Sequence, residues 1–220
     1  MARTSVQTDN FNRAGPGVGA NWAMLSTSLG GNVTIDSSTR ATGEYSTNPA
    51  VARWVGTGSF TSNQYSGVRL VNGADALGAN YWGGAIVRAS ADTDAARDYY
   101  CAYKQISGIS NNVVLAKYLN GTATVLYSGT QSAANGDMLW LEAEGDGSST
   151  ALRVYLNDTH LTAWDYTDTT SVITGGAPGL LVCSGVFLDD WDGGNITSGG
   201  GGPLLGGPVR PRLTEGRLVA

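Results

Sequence analysis

The amino-acid sequence predicts an all-β protein, a sandwich or barrel of short antiparallel strands. Three observations carry this. Short runs alternate apolar and polar residues, which suits a pleated strand with one buried face. Turn signals of the Asn-Gly type separate the runs. No segment longer than ten residues sustains the apolar period of a helix.

Along the chain, candidate strands lie near 20–29, 32–36, 39–46, 50–56, 64–71, 81–90, 98–106, 112–119, 122–128, 137–145, 150–157, 159–166 and 178–191. Val68 and Leu70 alternate with Arg69, and Asn72-Gly73 ends that run. Ala89 to Arg97 (ASADTDAAR) is the one helical rival and reads as a loop or a single helical turn. Tyr99, Cys101 and Tyr103 alternate with Tyr100 and Ala102. Val113 to Leu119 is apolar, broken only by Lys117, and Asn120-Gly121 joins it to TATVLYS as an antiparallel hairpin. Asn135-Gly136 precedes the buried-looking run Met138 to Ala143. Leu152, Val154 and Leu156 alternate with Arg153, Tyr155 and Asn157, and Asn157-Asp158 turns that run back on THLTAW. Strands this short, with turn signals at this spacing, define a sandwich or barrel.

Composition narrows the class. The chain has 220 residues, 41% of them hydrophobic, enough to bury a core. Glycine, at 32 residues, is about twice its usual share but has no three-residue period, so the chain is not collagen-like. No 18-residue apolar run exists, so no transmembrane helix is expected. One histidine and two cysteines exclude multi-histidine and four-cysteine metal sites. A net charge of -5 argues against a nucleic-acid binder. Cys101 and Cys183 sit in strand-like apolar contexts and read as buried free thiols, with a single disulfide the alternative. Four N-x-S/T sequons, at Asn32, Asn120, Asn157 and Asn195, are expected by chance in a chain this rich in Asn and Thr. The opening MARTSVQTDNFNRAG lacks the apolar core of a secretory signal peptide.

Two regions are expected: a body at 1–193 and a Gly/Pro-rich extended arm at 194–220. The arm holds Gly199 to Gly202 and three of the six prolines. It carries three arginines and one glutamate, a net of +2, against ten basic and seventeen acidic residues, a net of -7, in the body. A disordered terminus and an arm that orders on a neighbouring subunit are the two readings. Pro203, Leu204, Leu205, Arg210, Arg212 and Leu218 are the residues such an arm would use to dock.

The stretch DNFNRAGPGVGANW, Asp9 to Trp22, resembles the start of concanavalin-like lectin/glucanase domains. NGDMLWLEAEGDGSSTALRVYLNDTHL, Asn135 to Leu161, is similar to a hairpin pair of the same superfamily. GGAPGL, Gly175 to Leu180, and VFLDDW, Val186 to Trp191, resemble its Gly-x-Pro-Gly-Leu turn and its closing strand. The resemblance covers roughly residues 8–192. It implies a two-sheet antiparallel jelly roll of about a dozen strands with adjacent termini. Asn157-Asp158 departs from the usual Asn-Gly, and the arm has no counterpart.

Glucanases of the superfamily use paired carboxylates on a Glu-x-Asp-x-x-Glu strand. The nearest match, Glu142, Glu144 and Asp146, has the third acid at the wrong spacing, so no catalytic residue and no enzyme is expected. Asp189, Asp190 and Asp192 with Asp9, or Asp92, Asp94 and Asp98, are candidate Ca²⁺ ligands beside the reading as solvated charges. His160 follows a turn and has no Gly-x-Ser-x-Gly partner, so it reads as a surface residue. Trp54, Tyr81, Trp82 and Tyr100 are the candidates for stacking on sugar, since one member of each adjacent aromatic pair must face outward.

The leading expectation is a non-catalytic structural protein of a larger assembly, a phage capsid decoration or tail protein on the virion surface. Its partners would be copies of itself or a capsid or tail protein, held by the arm. The alternatives are a lectin-like module binding a cell-surface glycan outside the cell, and thirdly a glycoside hydrolase. No cofactor beyond the candidate Ca²⁺, no nucleic acid and no membrane enter any of these readings.

Overall fold

Alternation becomes burial strand by strand. In Thr150–Leu156, the residues Thr150, Leu152, Val154 and Leu156 are buried while Ala151, Arg153 and Tyr155 are half-buried. The computed structural model describes residues 2–25, 30–45, 48–71, 81–107 and 110–197. They form β1 (Ala2–Asp9), β2 (Trp22–Met24), β3 (Val33–Ile35), β4 (Ala41–Gly43), β5 (Ala50–Trp54), β6 (Gln64–Val71), β7 (Tyr81–Ala89) and β8 (Tyr99–Ser107). The chain continues through β9 (Ser110–Leu119), β10 (Thr122–Gly129), β11 (Met138–Glu144), β12 (Thr150–Leu156), β13 (Thr159–His160), β14 (Tyr166–Asp168), β15 (Ala177–Val182) and β16 (Phe187–Thr197).

Two antiparallel sheets result. One runs β13-β12-β11-β6-β16-β4-β3, with β1 added on β16 and β14 on β12; the other runs β10-β9-β8-β7-β15-β5-β2. The fold is the expected jelly-roll sandwich, and its ends meet: Ala2 pairs with Thr197. Between the sheets lie Val68, Leu70, Leu139, Leu141 and Leu152 from one side and Ala85, Val87, Ala102, Leu115 and Leu180 from the other. A second apolar cluster, with Ile86, Tyr99, Cys101, Tyr103 and Leu181, covers the outward face of the seven-stranded sheet.

Both predicted hairpins form, and for the expected reason. Asn120 and Gly121 have φ of 48° and 71°, and Asn157 and Asp158 have 49° and 63°. Two left-handed residues in succession give the primed turn that matches strand twist. Asp158 thus serves where glycine is usual. The 89–97 segment holds a single 3-10 turn, Asp94–Ala96.

Several expectations change. The predicted 159–166 strand is broken by a 3-10 turn at Thr162–Trp164 that seats the Trp164 ring in the core. The predicted 178–191 strand is two strands, parted by a turn in which Gly185 has φ of 84°. β1 went unpredicted because ARTSVQTD has no apolar alternation; its backbone pairing with β16 holds it. The arm does not begin at 194. Residues Gly194 to Thr197 complete β16, paired to β1 on one side and, through Asn195, to β6 on the other. Glycine is required at 194, where a Cβ would run into the Thr4 carbonyl oxygen and the Tyr65 ring. The rest of the arm, with Pro203, Leu204, Leu205, Arg210, Arg212 and Leu218, lies outside the described residues.

Arg88 is fully buried and binds only neutral acceptors. Its guanidinium donates to the carbonyls of Ser62, Ile173 and Gly145 at 2.6–2.9 Å and to the Thr150 hydroxyl at 2.5 Å. Burial holds its pKa below the usual arginine value. It ties β7 to the turns at one end of the nine-stranded sheet. Cys101 and Cys183 are free and buried, which pushes both thiols up, Cys183 to about 11.

Candidate functional site

The opening motif builds one wall of a cleft. Asp9 accepts from the Phe11 amide (2.8 Å), from the Arg13 guanidinium and from the Trp22 indole N–H (2.7 Å). One carboxylate thereby folds the 9–22 segment against the sheet and orients Arg13. Phe11 packs on Trp22, which meets Trp54 and Trp191 edge-on, while Trp54 and Trp191 stack at 5.2 Å. Trp191 is locked by its indole N–H donating to the Ser66 hydroxyl at 3.0 Å.

The opposite wall comes from a bulge in β16. Pairing with β6 shifts register between Asp189 and Asp192, and Asp190 takes a φ of 44°. A bulge bends the strand and re-aims its side chains. Asp190 here meets Arg69 at 2.8 Å, and Arg69 also donates to the Gly136 carbonyl at 2.9 Å. Trp140 lies flat over Gly67, where any Cβ would strike its ring. Arg3 lies over the Trp140 ring at 4.6 Å, and its Nε binds Glu142 at 2.7 Å.

These pieces enclose about 630 Å³. Arg13, Arg69 and Asp190 supply charge, Asn10 and Asn21 supply amides, and Met138 with Trp140 supplies apolar surface. Asp192 also lines the cleft; burial raises its pKa, opposed by hydroxyl donors Ser5 (2.8 Å) and Tyr65 (3.1 Å). Each arginine is oriented by a carboxylate; Asp9 is fully engaged by its own donors, so Asp190, Asp192 and the asparagine amides supply the acceptors of the cleft.

The sequence-predicted aromatic set does not share a face. Trp54 and Tyr100 occupy inward strand positions and are 4% and 0% exposed, so neither offers a ring face to solvent. Trp54 reaches only the cleft floor. Tyr81 packs against the same inner core, and Trp82 points from the outward face of the seven-stranded sheet onto Tyr103. Of Tyr99-Tyr100, the inward member is Tyr100, whose hydroxyl donates to Asp168 at 2.6 Å.

Glu142 and Glu144 do share an outward face, but each is engaged. Glu142 also accepts from the Tyr155 hydroxyl at 3.0 Å, and Glu144 pairs with Arg153 at 3.0 Å. His160 binds Asp165 at 2.6 Å and stacks on Tyr155. The two candidate Ca²⁺ sets do not assemble: among the described residues no three Asp, Glu, His or Cys side chains converge. Asp9 is saturated by its own donors, and Asp98 accepts from the Asn120 amide. Arg13, Arg69, Asn21 and Trp140 were not singled out from sequence. The Asp9-to-Trp22 motif pointed to the segment, and nothing in the local pattern pointed to the bulge.

No protein-family model matches the chain, and no curated protein matches it. Solved structures do. An endo-1,3-β-glucanase from Streptomyces sioyaensis superposes with a TM-score of 0.53 at 12% identity, covering 89% of this chain and 97% of that one. The fold is that of the concanavalin-like lectins and glucanases. The carbohydrate-binding module CBM66 from Bacillus subtilis shares this concanavalin-like fold with a TM-score of 0.51 at 17% identity over 80% of this chain and 94% of its own. A legume lectin-like domain from Entamoeba histolytica gives 0.51 at 8% identity, over 80% and 91%. At these identities the likeness concerns the fold.

Proposed function

We propose that this protein is a non-catalytic carbohydrate-binding module of concanavalin-like fold, and that the cleft at the β16 bulge is its glycan site. The single observation behind this is the wall composition. Two arginine–carboxylate pairs, two asparagine amides and the side chains of Met138 and Trp140 line about 630 Å³. Sugar hydroxyls need donors and acceptors side by side, and the apolar face of a pyranose needs an aromatic or aliphatic wall. The names of the carbohydrate-binding module and the lectin-like domain agree with the reading.

Hydrolysis would need a free pair of carboxylates, one protonated and one ionised. Glu142 and Glu144, the nearest sequence match to such a pair, are held by Arg3, Tyr155 and Arg153 and do not line the cleft. The expectation of a virion part rested on the missing signal peptide, the missing catalytic set and the arm, and the arm's residues beyond 197 lie outside the described structure.

A glycan array followed by titration calorimetry tests the reading. Arg69 is 40% exposed at its side chain, so Arg69→Ala leaves the fold intact. It is expected to weaken the best glycan about tenfold or more, the loss of one hydrogen bond to a charged group, about 1.5–3 kcal/mol. Trp82→Ala, on the other sheet, leaves affinity unchanged. A protein that binds no glycan at millimolar concentration, or an Arg69→Ala variant that binds as wild type, sinks the proposal.

A further inference from the structure

Asp192 stands apart from the other charges of the cleft. Arg13 pairs with Asp9, and Arg69 pairs with Asp190 at 2.8 Å, so those four charges are matched. Asp192 lines the same cleft and, among the described residues, forms no ion pair. Arg3 is near enough for its charge to act on Asp192, but its guanidinium is bound to Glu142 at 2.7 Å and to Asp158 at 3.1 Å. The walls thus carry Arg13 and Arg69 against Asp9, Asp190 and Asp192, a surplus of one negative charge that falls on Asp192. The geometry also leaves an acceptor open. The Ser5 hydroxyl (2.8 Å) and the Tyr65 hydroxyl (3.1 Å) both donate to Oδ1 and fix the carboxylate. Oδ2 has no donor among the described residues. Partial burial raises the pKa of this group, because its ionised form gives up water without gaining a counter-charge.

We propose that the cleft selects glycans carrying a free amino sugar, and that Asp192 Oδ2 receives their ammonium group. The inference rests on the cleft being the glycan site and adds the class of sugar it prefers. A sugar hydroxyl at that point would satisfy the hydrogen bond but not the charge. An acetamido group would offer a single N–H and no charge. An ammonium group offers three donors together with the missing counter-charge, and a charge-assisted hydrogen bond is roughly twice as strong as a neutral one. Trp54, Trp140 and Trp191 line the same cleft, and aromatic rings beside a carboxylate favour a cation. The surplus negative charge, on a chain whose net charge is -5, works against glycans that carry uronate or sulfate groups.

Titration calorimetry on the full chain tests this, with glucose and galactose oligomers beside the matching oligomers of glucosamine and galactosamine, free and N-acetylated. In the series that binds best, the free-amino form is expected to bind at least about tenfold tighter than its hydroxyl counterpart. That margin narrows as salt is raised, because the added contact is ionic. Asp192→Asn keeps an oxygen for Ser5 and Tyr65 and removes the charge, and it is expected to bring the ratio of the two affinities to within about twofold. Glu144→Gln, which removes a carboxylate outside the cleft, leaves the ratio as in wild type. Cadaverine carries the amines without the sugar ring and is expected to bind far more weakly; affinity equal to that of the amino oligomer overturns the proposal. Oligomers that bind and weaken on Arg69→Ala, yet show equal affinity for amino and hydroxyl forms or a ratio indifferent to Asp192→Asn, overturn this inference and leave the glycan site standing. If no form binds at millimolar concentration, both fall together.

Discussion

Tyr100 shows how a residue's chemistry depends on what the fold places beside it. Asp168 is 2% exposed and accepts from the Tyr100 hydroxyl at 2.6 Å and from Lys117 Nζ at 2.8 Å. Lys117 also donates to the Thr170 carbonyl at 2.6 Å, and the Ile173 amide donates to the Tyr100 oxygen at 3.0 Å. Burial works to raise the Asp168 pKa, but the Lys117 and Tyr100 bonds outweigh it and hold the carboxyl below its usual value. A carboxylate lowered on folding contributes stability above its unfolded pKa, and that stability is lost as pH falls through the folded value. Asp168→Asn leaves a buried ammonium unpaired and is expected to cost about 3–5 kcal/mol at neutral pH. Urea unfolding measures this, and the gap from wild type narrows below about pH 4 as Asp168 itself protonates. From the sequence, alternation required that one of Tyr99 and Tyr100 face inward. Lys117 stands opposite Tyr100 in the neighbouring strand, but Asp168, which joins the two, comes from a strand 51 residues beyond Lys117 and left no local trace.

At the scale of the element, β16 carries the most. It pairs with β1, β6 and β4, bulges at the cleft wall and ends the described chain. Its glycines resembled the start of a flexible arm because composition was the available signal. Close approach is what they provide: at Gly193 a Cβ would meet the Trp191 ring, and at Gly194 it would meet the backbone of β1. VFLDDW was recognisable as a closing strand, whereas the bulge after Asp189 depends on pairing with β6, which no local pattern encodes. Gly194→Ala is expected to displace β1 and cost about 1–3 kcal/mol, the usual range for overpacking. Hydrogen exchange should show the loss concentrated in the amides of Ala2 to Ser5, with β8 and β9 protected as before. A uniform loss across both sheets would instead mean that β1 and the sandwich unfold as one unit.

The whole molecule is closed by its most distant contacts. β8 and β9 are joined within a few residues, whereas β1 and β16 pair Ala2 with Thr197. The strand inventory was readable because alternation and turn chemistry are local. The joining of first and last strands was legible only as a resemblance, since ARTSVQTD carries no pattern of its own. The same distance governs how the chain folds. Loop-closure entropy must be overcome before a long-range ladder contributes, so low-separation hairpins form early and end-to-end pairing forms late. Leu115 is fully buried in β9, and Leu115→Ala is expected to slow folding, with most of its about 2–5 kcal/mol appearing in the folding rate. Ile196 is buried in β16 opposite Arg3, and Ile196→Ala is expected to speed unfolding while leaving the folding rate within about twofold. Stopped-flow chevrons on both variants decide it: if Ile196→Ala slows folding as much as Leu115→Ala does, the two ends of the chain meet in the rate-limiting step, and closure of the sandwich begins with its most distant contact.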